Sequence, residues 1–109
     1  MDWFGNQDCN LQAARMSFGL GKTFKPHAHL QRVRKITQTQ EAMVVISGAL
    51  KCDIYDWGDK KVDWFILKPG DLGLFFDGGH GYTVEEDNTV FYEIKHGPFV
   101  SVEKDKRFL

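Results

Sequence analysis

Residues 21–48, GKTFKPHAHLQRVRKITQTQEAMVVISG, decide the reading of this chain, because they set two histidines and one carboxylate at spacings that a β-strand makes meaningful. Side chains two apart on an extended strand project to the same side, so as a strand this segment lets His27 and His29 share one metal ion. Lys25-Pro26 just before the pair argues against helix, since proline holds its predecessor in extended conformations. Glu41 then opens the apolar run AMVVI, closed by Gly48, which is the pattern of a buried strand ending in a turn. If Glu41 faces inward, Met43 and Val45 follow it by period two. A third histidine, His80, stands after Gly78 and Gly79, beyond another strand-like run, LGLFF. Three imidazoles and a carboxylate suit a borderline divalent ion such as iron, manganese, nickel, cobalt or zinc, with positions left open for substrate.

Outward from this stretch, 11 glycines punctuate short runs of β-branched and aromatic residues at fairly even spacing, the pattern of an all-β sandwich or barrel. A first strand is expected over residues 11–20 and a ligand-bearing strand over residues 23–29. LQRVRKITQTQ is too polar and basic for a core element and reads as a loop. AMVVI and ALKCDIYDW form two strands joined at Ser47-Gly48, and WGDKK supplies the turn into KVDWFIL, where Val62, Trp64 and Ile66 share one face. Pro69-Gly70 makes the next turn, since proline presets its own φ and glycine tolerates positive φ. LGLFF, HGYTV and, after the acidic turn EEDN, TVFYEIK complete the strands. Residues 1–10 read as an arm and residues 96–109 as a tail whose apolar tip, Phe108-Leu109, docks on another surface.

At 109 residues the chain fits a single domain. Its 42% apolar and 14% aromatic content is that of a folded globular protein, and 27% charged residues is ordinary for a wetted surface. A formal net charge of −1 provides no global field to recruit nucleic acid or an acidic membrane. No stretch approaches the roughly 20 apolar residues that span a bilayer, and residues 1–10 carry no basic leader, so a cytoplasmic location is expected. Cys9 and Cys52 form no CxxC pair, which points to reduced thiols with Cys52 a small core residue.

Gly21, His27-x-His29, Glu41 and Gly48 together resemble the first conserved motif of the cupins, and Pro69-Gly70-Asp71 leading to His80 resembles the second. The resemblance covers roughly residues 11–98. It implies a single small antiparallel jelly-roll β-barrel with one divalent metal in its mouth, held by His27, His29, Glu41 and His80. This chain departs from the pattern in the long interval LQRVRKITQTQ between the histidine pair and Glu41, and in the slightly short interval from Pro69 to His80, without the family's later Asn.

A lone histidine on a strand is more often a hydrogen-bonded structural group than a ligand, so the metal assignment rests on the pair plus its glycine and proline framework. His96, before Gly97-Pro98, is the alternative to Glu41 as fourth ligand. Tyr82, two residues after His80 and on its face if HGYTV is a strand, is a candidate catalytic acid or base or a barrel-lining aromatic. Arg32 and Arg34 are a candidate clamp for an anionic substrate, or a solvated loop. The function expected is a metal-dependent enzyme (isomerase, epimerase, lyase or dioxygenase) on a polar, anionic small molecule such as a sugar derivative. The alternative is a non-catalytic sugar- or anion-binding module. A homodimer is expected, from the habit of small cupins and from Trp3, Phe4, Phe108 and Leu109 near the chain ends.

Overall fold

A computed structural model describes residues 1–6 and 8–109, and the strand alternation read above becomes an antiparallel, nearly all-β architecture. The elements are β1 (Asp2–Phe4), β2 (Ala13–Arg15), β3 (Glu41–Ser47), β4 (Leu50–Tyr55), β5 (Lys61–Leu67), β6 (Leu72–Phe75), β7 (Gly79–Val84), β8 (Val90–Lys95) and a short helix α1 (Val102–Asp105). β1 and β2 form a small ribbon of their own. The other six strands make two three-stranded sheets, ordered β6-β3-β8 and β5-β4-β7. All pairings are antiparallel.

Residues directly opposite in an antiparallel pair lie on the same face, so the register assigns every inward side chain. Glu41, Met43 and Val45 on β3 stand opposite Phe75 and Gly73 on β6 and opposite Lys95, Glu93 and Phe91 on β8. Leu50, Cys52 and Ile54 on β4 stand opposite Leu67, Phe65 and Asp63 on β5, and opposite Val84, Tyr82 and His80 on β7. The core forms where these two faces meet: Met43, Val45, Leu50, Cys52, Leu67 and Phe75 are buried together, with Ile54, Phe65, Tyr82 and Phe91 packed against them. Phe75 of one sheet stacks on Phe65 of the other with ring centroids 6.0 Å apart.

Turns hold the two sheets in place. Gly48 links β3 to β4 at φ +79°, in the left-handed region, and a Cβ there would run into Thr89, whose hydroxyl receives the Ala49 N–H at 3.2 Å. At Pro69-Gly70, the Asp71 N–H bonds the Lys68 carbonyl, and the Gly70 N–H bonds the Val45 carbonyl at 2.8 Å. This ties the β5–β6 turn back onto β3.

Three expectations are corrected. The two sheets do not close into a barrel; they remain separate, with β6, β8, β5 and β7 as edges. The strand expected over residues 11–20 is only Ala13–Arg15, the length that its partner β1 can pair. The strand expected over residues 23–29 is irregular and exposed. Proline at position 26 has no N–H for a ladder, and no neighbouring strand lies alongside to make one. Val62, Trp64 and Ile66 do share a face, but it is the outer one, where the Lys51 ammonium lies 5.1 Å from the Trp64 ring centre.

Candidate functional site

Glu41 begins β3 on the inward face, and its side chain is 11% exposed. A buried carboxylate needs partners, and two side chains from β7 supply them. His80 Nε2 lies 2.8 Å from Glu41 Oε2, and the Tyr82 hydroxyl donates to the same oxygen at 3.3 Å. An ionised carboxylate can only accept, so the His80 hydrogen sits on Nε2. Both partners reach Glu41 because positions 80 and 82 share a face of β7, as the period of two requires. The strand is entered through Gly78, at φ +74°, where a Cβ would stand 2.6 Å from the Tyr55 carbonyl oxygen. Phe75 supports the group from the facing sheet, its ring centroid 4.5 Å from that of His80 and 5.8 Å from that of Tyr82.

The electrostatics follow from this packing. The hydrogen bond from His80 is the largest influence on Glu41 and holds its carboxyl below the usual range against the opposing effect of burial, aided by the charges of His80 and Lys95. Burial, then the nearby Glu41 charge, pushes the Tyr82 phenol well up, so it stays protonated at neutral pH and serves as a donor. Burial pushes the Cys52 thiol up to about 11, which leaves it an inert core group rather than a nucleophile.

The trio forms part of the wall of a cleft of about 480 Å³. Thr39, Tyr55 and Glu93 also line it, and so do residues 105–109. This places Glu93, and by register Lys95, on the inward face of β8, with Tyr92 outside. Nothing in the spacing of residues 105–109 marks them as part of a site; their signal in the sequence is the apolar tip of the tail, Phe108-Leu109.

The four expected metal ligands are brought together only in pairs. Glu41 and His80 are in contact. His27 and His29 lie with ring centroids 5.4 Å apart on the exposed segment, where the Lys25 carbonyl is 2.8 Å from His27 Nδ1. Among the described residues, no group of three or more His, Cys, Asp or Glu is placed to hold a metal ion. Carboxylate and imidazole are suitable donors for a divalent transition metal, and the described residues bring one of each, Glu41 and His80, into contact. His96 carries a buried Nδ1 without a hydrogen-bond partner among the described residues and does not line the cleft. Arg32 and Arg34 line a separate cleft of about 340 Å³ with Asp8, Cys9, Asn10 and Gln12.

No helix among the described residues is long and apolar enough to cross a membrane. No family model matches the chain, and neither a curated protein nor a solved structure matches it.

Proposed function

We propose that this chain is a small cupin-type enzyme whose cleft beside Glu41, His80 and Tyr82 receives a polar small molecule and moves a proton on it, as an isomerase, epimerase or lyase does. The observation that carries this reading is the buried Glu41 side chain, its carboxylate held between His80 Nε2 and the Tyr82 hydroxyl at the wall of a cleft sized for a small ligand. The Glu41 carboxylate, hydrogen-bonded to Nε2, fixes the orientation of the His80 ring and leaves Nδ1 as its acceptor nitrogen, so His80 is the group assigned to accept the proton. Tyr82, kept protonated, has one hydroxyl hydrogen, which would turn from Glu41 towards negative charge developing on the substrate. The direct test is proton exchange: a panel of sugars, sugar phosphates and hydroxy acids incubated in heavy water with parent and His80→Gln, followed by NMR. Carbon-bound deuterium appearing with the parent and not with the variant is the expected result. Ligand-induced thermal stabilisation with no exchange would instead favour a non-catalytic binding module.

A metal-dependent form of the same reading is favoured by the His27–His29 pair, which sits on an exposed segment without regular structure. One divalent transition metal would then take Glu41, His80 and both segment histidines as ligands once that segment folds over the cleft, and would supply Lewis-acid chemistry there. Elemental analysis after saturation and desalting should give close to one ion per chain in the parent, and none in His27→Ala/His29→Ala. Full retention by the double variant would remove these two histidines from the site.

A further inference from the structure

Residues 105–109 form part of the lining of the cleft. α1 is a single turn, capped by Ser101, whose side chain receives the Lys104 N–H at 3.3 Å. This turn presents Asp105 to Lys95, with Nζ and Oδ2 3.0 Å apart. Lys95 stands directly opposite Glu41 in the β3–β8 register, so the segment is fastened beside the trio. Two residues later, Arg107 makes a two-pronged contact with Asp59 in the β4–β5 turn, NH1 to Oδ2 at 2.9 Å and NH2 to Oδ1 at 2.8 Å. The Asp56 side chain holds that turn by accepting the Gly58 and Lys60 N–H groups. Leu109 seats in the space left by the missing side chain of Gly79, where a Cβ would stand 2.7 Å from Leu109 Cδ1. All five residues 105–109 line the cleft.

The two fastenings differ. The Lys95 and Asp105 side chains are each 21% exposed, whereas Arg107 is 63% and Asp59 41% exposed. Phe108 and Leu109 bury little, at 81% and 56% exposed. A bidentate guanidinium–carboxylate pair is geometrically specific, yet at this exposure it is weakened by salt.

We propose that residues 105–109 are a strap across the cleft that opens by release of Arg107 from Asp59 while Asp105 stays on Lys95, so that an exposed, salt-sensitive ion pair governs access to Glu41, His80 and Tyr82. The inference holds whichever reaction the cleft performs.

Access to His80 is the readout. Diethylpyrocarbonate acylates accessible imidazoles, and peptide mass spectrometry resolves the rate at His80 from the rates at His27 and His29, which are exposed and serve as internal references. Arg107→Gln should raise the His80 rate by about two- to five-fold at low salt, the scale of an exposed ion pair. Raising the ionic strength should speed the parent towards the variant and leave the variant unchanged. Gly79→Ala provides an independent route, because it displaces Leu109 without touching the ion pair, and should also accelerate His80. Circular dichroism and melting temperature establish that each variant is folded. Equal His80 rates in folded parent, Arg107→Gln and Gly79→Ala would overturn the strap. Failure of proton exchange in the heavy-water experiment would leave it intact.

Discussion

Glu41 shows how one side chain links packing to chemistry. It occupies a position that pattern alone would give to an apolar residue, between Gln40 and Ala42, both also buried. Its charge persists there because His80 and Tyr82 meet it. Its carboxyl is held below the ordinary 4.5, so its contribution to stability is fully present above that value and is lost as pH falls through the lowered folded value. Glu41→Gln is expected to destabilise the protein by about 1.5 to 3 kcal/mol at neutral pH, the scale of hydrogen bonds to a charged group. The gap from the parent should narrow as acid protonates Glu41. Tyr82→Phe should cost about 1 kcal/mol. Urea unfolding at several pH values measures both; a Glu41→Gln deficit that stayed constant into acid would contradict the assigned ionisation.

At the scale of elements, the β3–β4 turn is the joint between the sheets, since β3 is the central strand of one and β4 the central strand of the other. Its turn depends on Gly48, where a side chain meets both an unfavourable φ and the Thr89 side chain and backbone. Gly48→Ala is therefore expected to destabilise by about 1 to 3 kcal/mol, through strain of the kind that left-handed backbone imposes on other residues. Chemical denaturation measures it, and a change within a few tenths of a kcal/mol would mean the turn relaxes freely. The segment before β3 behaves differently. Its histidines have the spacing of a strand but no strand beside them, and an extended segment becomes a sheet element only through a partner's N–H and C=O groups.

The whole molecule is less compact than its length allows. The Cα radius of gyration is 16.3 Å, against about 13 Å for a compact chain of this size. The irregular segment accounts for part of this, with Leu20, Leu30 and Val33 almost wholly in solvent. The outer face of β8 also presents Val90, Tyr92 and Ile94 to solvent, and among the described residues no further strand pairs with the edge strands β6 and β8 or β5 and β7. Apolar surface and open edges of this kind are characteristic of association. We therefore expect a homodimer by sedimentation at micromolar concentration, with Tyr92→Lys/Ile94→Lys shifting it to monomer. A single-chain mass for the parent would refute this.

Alternation of apolar and polar residues, with glycine and proline punctuation, is enough to recognise β3 to β8, to place Met43 and Val45 on the face of Glu41, and to put Tyr82 on the face of His80. These are local properties, set by the two-residue period of an extended backbone and by the few residues that tolerate a turn. Register and partner choice are not local. That the inward face of β8 carries Glu93 and Lys95 follows from pairing Glu41 with Lys95, and that the sheets stay apart follows from which strands find neighbours. The separation of His27 and His29 from the Glu41–His80 pair, the placing of Arg32 and Arg34 in a different cleft, and the sharing of one cleft by residues 105–109 and the trio likewise emerge only in three dimensions. Each depends on contacts between residues far apart in the chain, whose free energy must exceed the entropy of bringing them together, and spacing along a sequence does not encode that balance.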